Sequence, residues 1–364
     1  MREKILIVSN VTAGLYSFRS ELIKQLSEEF EVIIISSDNG RKDSLEELGA
    51  KVIIKDFDRH GTNPVKELGL VSFYKKMIKE IKPLIILTYT IKPNIYAGMA
   101  ACSLGVPYVA NITGLGPAIE NGGILQKISL TLYKFGLRKA KKVFFQNSSN
   151  LEFMKKNKVV RDGQYDLLPG SGVNLSKYTP LPYPENETVD FLFISRVVKE
   201  KGIDQYLDAA KAIKEKYSFT RFHICGDCDE NYKAVLDELN EKGVIIYHGR
   251  IDDIASMHLI NCCTVHPSYY PEGMSNILLE SCACARPIIT TDRPGCGEIV
   301  DDGINGFVVK QKDSEDLIKV IEKFLSLSVK ERETMGLNGR KKVEECFDRQ
   351  IVIDKYMGEI KSEL

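Results

Sequence analysis

Glu272 and Glu280 stand eight residues apart in Tyr270-Pro-Glu272-Gly273-Met274-Ser275-Asn276-Ile-Leu-Leu-Glu280. The spacing crosses a loop-to-helix junction. Pro271 and Gly273 flank the first acid, Ser275 is a good N-cap, and Asn276 onward has the composition of a helix. Glu272 then lies in the loop and Glu280 within the helix. Backbone N–H groups around Met274–Ile277 would face the space near Glu272. A helix N-terminus with unpaired donors at the positive end of its dipole suits a phosphate. The carboxylates on either side suit sugar hydroxyls, one from a transferred sugar and one from a ribose. Taken alone, the segment also fits a solvated helix with two incidental acids.

A second constellation is Ser195-Arg196-Val-Val-Lys199-Glu-Lys201-Gly202, directly after an apolar strand. It sets Arg196 and Lys201 at the carboxyl edge of a sheet. Two fixed cations suit a diphosphate whose charge grows as it leaves. A basic surface turn is the plainer alternative.

Other motifs carry less. Cys225-Gly-Asp-Cys228 is a CxxC without a second CxxC or a spaced histidine pair, which disfavours zinc or redox chemistry. The nine cysteines, an odd number, mostly sit in apolar contexts and read as reduced, buried thiols. Asp227-Cys-Asp229 imitates a metal-binding DxD. With Arg196 and Lys201 supplying positive charge, no metal and no cofactor are expected. His60, in Asp58-Arg-His-Gly-Thr-Asn63, is a minor base candidate.

The elements that must position these residues follow from periodicity. Apolar runs at Ile5–Val8, Val32–Ile35, Val52–Ile54, Leu84–Leu87, Tyr108–Ala110, Val143–Phe145 and Asp166–Leu168 lack polar alternation. Such runs suit parallel strands covered on both faces. Between them lie helical stretches such as Ser17–Phe30, with Phe18, Leu22, Leu26 and Phe30 on one face. The pattern restarts after a Pro/Gly-rich stretch, Pro169 to Pro184, read as an interdomain connection. The second set of strands is Phe191–Ile194, Arg221–Cys225, Val244–Tyr247, Cys263–His266, Ile288–Thr290 and Phe307–Val309, with helices at Ile203–Tyr217 and Asn276–Ala285. The fold class expected is α/β, two Rossmann-like domains facing each other across a cleft. A chain of 364 residues has room for both.

Composition narrows the function. Lys plus Arg equals Asp plus Glu at 50 each, so no bulk attraction to nucleic acid is expected. Ile5–Val8 is too short for a signal peptide, and no stretch approaches the roughly 20 apolar residues of a membrane span. A cytoplasmic protein is expected. Residues 125–142 read as a basic amphipathic helix, with Lys134, Arg138, Lys139, Lys141 and Lys142 beside Leu130, Tyr133 and Leu137. Such a helix suits an anionic membrane surface, or else domain packing with cations at its C-terminus.

Taken together, Arg196/Lys201, the Glu-x7-Glu element and His266-Pro-Ser268…Glu272…Glu280…Arg286-Pro-Ile-Ile-Thr-Thr-Asp292…Gly297-Glu298…Gly303-Ile-Asn-Gly306 resemble the retaining GT-B glycosyltransferases of family four. The resemblance covers essentially the whole chain. It implies a hexosyltransferase in which Arg196 and Lys201 hold a donor diphosphate, Glu272 contacts the donor sugar and Glu280 binds ribose. Gly273, Met274, Ser275 and Asn276 would complete the donor loop, and Gly226, Arg250 and Ile251 would line the nucleoside pocket, with uracil the base. It also implies an acceptor-binding domain over 1–172, a nucleotide-sugar-binding domain over 173–346, and a helix over 347–364 returning to the first domain.

The N-terminal half resembles a narrower subgroup. Ser9-Asn-Val-Thr-Ala13-Gly14-Leu-Tyr-Ser-Phe18, Thr88-Tyr-Thr-Ile-Lys-Pro-Asn94 and Asn111-Ile-Thr113-Gly-Leu-Gly116 look like enzymes that build capsule, O-antigen and N-linked glycans on undecaprenyl diphosphate. Better-known members transfer N-acetylgalactosamine or related sugars. The implied partners are a UDP-sugar and a polyprenyl-diphosphate-linked acceptor, on the inner face of the cytoplasmic membrane. Ala13, Gly14, Asn111 and Thr113 become acceptor or phosphate contacts, with Ala13-Gly14 read as a tight turn after the first strand. One departure is Thr113, where many members carry a histidine. A threonine is no general base at neutral pH; the resemblance implies front-face attack, in which the leaving diphosphate accepts the acceptor's proton and no protein base is needed. Two rivals remain: a sugar-nucleotide epimerase on the same fold, and a non-catalytic sugar-nucleotide-binding subunit. Epimer interconversion without acceptor separates the first, and intact Glu272, Glu280, Arg196 and Lys201 weigh against the second.

Overall fold

The computed structural model describes residues 2–56, 64–185, 187–251 and 253–364. His60 and the rest of Asp58–Asn63 lie outside them. The chain forms two compact units, residues 1–171 with 350–364, and residues 172–349.

The first unit is built on a seven-stranded sheet in the order β3-β2-β1-β4-β5-β6-β7. Its strands are β1 (Lys4–Val11), β2 (Glu31–Ser37), β3 (Lys51–Ile54), β4 (Ile85–Tyr89), β5 (Tyr108–Ile112), β6 (Lys142–Phe145) and β7 (Tyr165–Leu167). Every pairing is parallel. The unbroken apolar run of β1 has a direct cause: Ile5, Leu6, Ile7 and Val8 are all fully buried. Their side chains alternate between two cores. Leu6 and Val8 join Ile33, Ile35 and Ile86 on one face. Ile5 and Ile7 join Val32, Ile34, Ile85 and Leu87 on the other. Each such burial contributes about 1.5–3 kcal/mol. The second face is covered in part by Val352, Ile353, Tyr356 and Ile360 of the last helix, Arg349–Lys361.

The second unit carries six parallel strands, ordered β10-β9-β8-β11-β12-β13. They are β8 (Val189–Ile194), β9 (Thr220–Cys225), β10 (Ile246–Gly249), β11 (Cys263–His266), β12 (Ile288–Thr291) and β13 (Gly306–Val309). In each sheet the strand order reverses once, between β1 and β4 and between β8 and β11. Ligands of open α/β sheets bind outside the carboxyl ends of the strands at such reversals.

Several expectations change. The stretch 169–184 is not wholly a connection. The break falls after Ser171, and Tyr183 is buried in the second unit's core. The Arg286 guanidinium donates to the carbonyls of Leu181 (3.1 Å) and Pro182 (2.8 Å), tying the segment down. The first helix begins earlier than its apolar spacing implied, at Thr12. Its buried side is Leu15, Arg19, Leu22, Ile23 and Leu26, with Phe18 only half-buried.

The basic amphipathic helix expected over 125–142 runs only from Gly123 to Leu137. Arg138 and Lys139 lie beyond it, and Lys142 opens β6. Lys141 pairs with Glu363, and Lys142 with Glu359 at 3.7 Å. The helix buries Leu130, Tyr133 and Leu137 but exposes Ile124 (77%), Leu125 (61%), Ile128 (51%) and Phe135 (56%). Its outward face is therefore apolar, with Lys127 and Lys134 exposed along it.

Candidate active site

The two constellations meet at the β8/β11 reversal. Arg196 leaves the end of β8, and Lys201 closes a single 3-10 turn, Lys199–Lys201. Gly202 follows at φ +80°, and a Cβ there would lie 2.2 Å from the Pro267 carbonyl oxygen. Only glycine lets this turn sit against the segment leaving β11. That contact brings Lys201 to Glu272, and the two form an ion pair with both side chains 12% exposed.

Glu272 has two further partners. Ser268 Oγ donates to its Oε1 at 3.2 Å, and His266 Nε2 lies 3.4 Å from the same oxygen. Burial would push this carboxyl up. The His266 hydrogen bond and the Lys201 charge overcome it and hold the acid at about 2. Tyr270 completes the cluster: Lys201 Nζ lies 4.7 Å and the Arg196 guanidinium 5.8 Å from its ring centroid. An aromatic face holds both cations without neutralising them.

Glu280 lies within the helix Asn276–Ala283, in a different environment. Burial pushes its carboxyl up to about 7, against a Tyr178 hydrogen bond and the charges of Lys177 and Arg349. Two acids of one segment thus differ widely in proton affinity: Lys201 and His266 touch Glu272, while Lys177 and Arg349 do not offset the burial of Glu280.

The helix tip differs in detail from expectation. Ser275 occupies the N-cap, but its hydroxyl makes no capping bond and is buried without a partner. Its backbone N–H donates to the Gly295 carbonyl at 2.7 Å and is not available to a ligand. Met274 is buried in a core cluster, so only its backbone can serve a site. Asn276 Oδ1 is buried and unpartnered, and Gly273 is buried in the loop between Glu272 and Met274.

Gly226, Arg250 and Ile251 lie at the carboxyl ends of β9 and β10. Gly226 has φ +141°, and a Cβ would fall 1.9 Å from the Ser195 carbonyl oxygen, so this turn packs directly on the residue before Arg196. Arg250 is largely exposed and lies 3.6 Å from Asp227. Ile251 packs with Ile277 against Leu192, Ile194 and Cys225. Arg250, Gly226, Arg196 and His266 thus follow one another along a single sheet edge, β10-β9-β8-β11.

Among the described residues, no group of three or more His, Cys, Asp or Glu side chains gathers as a metal site. Cys225 and Cys228 are free thiols, and burial pushes Cys225 up to about 12. His223, two residues before Cys225 in β9, joins a side-chain network instead. Its Nε2 lies 2.7 Å from Asp190 Oδ1 and its Nδ1 2.9 Å from His248 Nε2.

In the first unit, Ala13 and Gly14 form no turn. They lie in the first turn of the helix Thr12–Glu29, and Asn39 Oδ1 already accepts from the Ala13 N–H at 2.8 Å. Asn111 is fully buried in β5, and its amide donates to the Tyr356 hydroxyl at 2.7 Å. Its Nδ2 holds the last helix, while its Oδ1 is buried without a partner. Thr113, just past β5, is half-buried. His266, Ser268 and Tyr270 had no role from local spacing. The available signal was position, since His266 ends an apolar strand and Ser268 and Tyr270 follow it at the carboxyl edge.

Two family models match the chain: "Glycosyl transferase 4-like" over residues 4–147 and "Glycosyl transferases group 1" over residues 183–342. The chain is 28% identical to the N,N'-diacetylbacillosaminyl-diphospho-undecaprenol alpha-1,3-N-acetylgalactosaminyltransferase of Campylobacter jejuni, covering 97% of each chain. It is 33% identical to the capsular polysaccharide biosynthesis glycosyltransferase CapM of Staphylococcus aureus, over 44% of this chain and 42% of that one. Among solved structures, Anabaena Alr3699/HepE in complex with UDP and glucose superposes with TM-score 0.80 at 18% identity, over all of both chains. Sucrose-phosphate synthase of Thermosynechococcus elongatus superposes with TM-score 0.77 at 20% identity. With both units matched and one relative aligned nearly end to end, the chain belongs to the GT-B glycosyltransferases, its first unit glycosyl transferase 4-like and its second of glycosyl transferases group 1.

Proposed function

We propose that the enzyme transfers an N-acetylhexosamine such as N-acetylgalactosamine, with retention, from a UDP-sugar to an undecaprenyl-diphosphate-linked saccharide in surface polysaccharide or glycan synthesis. One observation carries the reading: Lys201, Arg196, His266 and ionised Glu272 cluster at the β8/β11 reversal. The full-length Campylobacter relative, an N-acetylgalactosaminyltransferase by name, supports the choice of sugar and acceptor.

In this reading Arg196 and Lys201 take the diphosphate. Their charge favours the bond-breaking state, in which the leaving oxygen gains negative charge. Glu272, kept ionised, accepts a hydroxyl of the donor sugar. Glu280 takes the ribose hydroxyls, and the turns at Gly226 and at Arg250–Ile251 receive the nucleoside. The first unit takes the acceptor. The acceptor hydroxyl attacks from the face the diphosphate leaves, and its proton passes to the departing phosphate oxygen. No protein base and no metal is required.

The lipid-linked acceptor places the enzyme at the inner surface of the cytoplasmic membrane. The exposed apolar face of the helix Gly123–Leu137, flanked by Lys127, Lys134, Arg138 and Lys139, is the lipid contact in this reading. No described helix is long and apolar enough to cross the bilayer.

The test is a panel of UDP-sugars against undecaprenyl-diphosphate-linked mono- and disaccharides, in excess chelator, with products read by mass and anomeric configuration by NMR. One UDP-N-acetylhexosamine should give an α-linked product from an α-linked donor. An inverted linkage removes the front-face step. Activity abolished by chelator and restored by Mg²⁺ revives Asp227 and Asp229, and epimer interconversion without acceptor favours the rival chemistry.

A further inference from the structure

The first sheet has its own reversal, between β1 and β4, and the segment leaving β4 is unusually built. Thr90 adopts φ +72°, a left-handed conformation costly for a β-branched residue. The chain then enters a π-helix, Pro93–Ala97, a form enriched at functional sites. Two bonds fix the segment: Thr88 Oγ1 donates to Asn94 Oδ1 at 2.7 Å, and the Asn94 amide donates to the Asn111 carbonyl at 2.8 Å.

Lys92 projects from this segment and forms an ion pair with Glu67, Nζ to Oε1 at 2.6 Å, with side chains 14% and 11% exposed. Glu67 comes from the first turn of the helix Pro64–Ile81. Tyr96, 8% exposed, stands beside Glu67: burial and the neighbouring carboxylate push its phenol up. Glu67 Oε2 is buried with no hydrogen-bond partner. An ionised carboxylate oxygen so enclosed is costly unless something else bonds it. Oε2 itself is covered and the side chain's 11% exposure lies on its other atoms, so a ligand must displace what covers it.

The charges narrow the ligand. Lys92 and Glu67 neutralise each other, so the pair offers no net attraction to a diphosphate. A lone carboxylate oxygen beside a tyrosine suits a neutral hydroxyl donor. We propose that Glu67, held by Lys92 and beside Tyr96 at the carboxyl end of β4, binds a hydroxyl of the acceptor's sugar ring. The inference rests on the acceptor being a saccharide. Glu67 orients the acceptor and leaves the proton to the departing phosphate.

The experiment uses the full chain with a prenyl-diphosphate-linked N-acetylhexosamine and its monodeoxy series. For wild type, one monodeoxy acceptor should be extended about 10–100-fold less efficiently than the parent, the range for a lost hydrogen bond to a charged group. Glu67→Ala should lower acceptor kcat/KM by a similar factor and extend that deoxy acceptor no worse than the parent. Donor KM and acceptor-independent UDP release should hold within about threefold, which a merely structural lesion would not allow. If Glu67→Ala does not fold, Glu67→Leu with Lys92→Met removes both charges and the accepting oxygens together and must show the same loss of discrimination. Unchanged acceptor kcat/KM, or an undiminished penalty for every deoxy acceptor in the variant, overturns the assignment while transfer by wild type stands. Wild type that extends none of the acceptors overturns the saccharide-acceptor reading and this assignment with it.

Discussion

The Lys201–Glu272 pair permits a prediction that separates folding from catalysis. Lys201→Met keeps the stem and removes the charge. Glu272 then retains its burial and its His266 hydrogen bond but loses its cation, so its carboxyl rises from about 2 toward its ordinary 4.5. A shift from 4.5 to about 2 corresponds to about 3 kcal/mol. That agrees with the cost of about 3–5 kcal/mol for breaking a buried pair from one side. The sign follows from linkage. Glu272 is depressed in the fold, so its contribution is complete above the unfolded value of 4.5 and vanishes as pH falls through about 2. Lys201→Met should therefore lower Tm at pH 7 by about 6–12 °C, at about 2–4 °C per kcal/mol for a unit of this size. The deficit should shrink below about pH 4.5.

Adding Glu272→Gln removes the stranded charge, so the double variant should recover most of the lost stability. Activity should not follow. Lys201→Met, Glu272→Gln and the double variant should each lose at least about tenfold in kcat/KM, because the donor contacts stay absent. Thermal melts over a pH series, beside kcat/KM at pH 7, supply both readouts. A Lys201→Met protein that melts with wild type refutes the buried pair. A double variant as unstable as the sum of the singles refutes the coupling. Recovery of activity along with stability refutes the donor-contact reading.

Glu280 should behave oppositely. Its carboxyl is raised from 4.5 to about 7, so its favourable contribution is present below 4.5 and lost as pH rises through about 7. Glu280→Gln should stabilise the unliganded protein by up to about 3 kcal/mol at pH 8 and little at pH 4.5, measured by denaturant melts, while UDP affinity falls; equal stability across the range would refute the raised acid. Gly202→Ala should destabilise by at least about 2 kcal/mol and weaken donor turnover, since its Cβ meets the Pro267 carbonyl at 2.2 Å; a wild-type melt would show that the turn can yield. Ile128→Glu with Phe135→Glu should abolish flotation with vesicles containing anionic lipid while leaving transfer to a short-chain, water-soluble acceptor intact. Undiminished flotation would remove this helix from the membrane contact.

The strands were legible because fully buried parallel strands leave an unbroken apolar run, as at Ile5–Val8 and Cys263–His266. Boundaries were less so: Val244–Tyr247 pairs as Ile246–Gly249, and the helix ending in cations stops at Leu137. Apolar periodicity does not register where a strand such as Lys142–Phe145 claims the next residues. Ser275 read as a cap by type and holds the N-cap with an extended backbone, yet its hydroxyl bonds nothing.

Within one short segment, residue order alone set Glu272 ahead of a helix and Glu280 inside it, and placed Arg196 and Lys201 after a strand. These follow from local propensity and the direction of the chain. Partnership did not. Lys201 meets Glu272 across 71 positions, Lys92 meets Glu67 across 25, and Asn111 gives its amide to Tyr356 across 245. Such contacts depend on strand order and on close backbone approaches such as Gly202 to Pro267. Tertiary structure therefore decided which carboxylate is held ionised, which is pushed toward neutrality, and which polar side chain is already occupied.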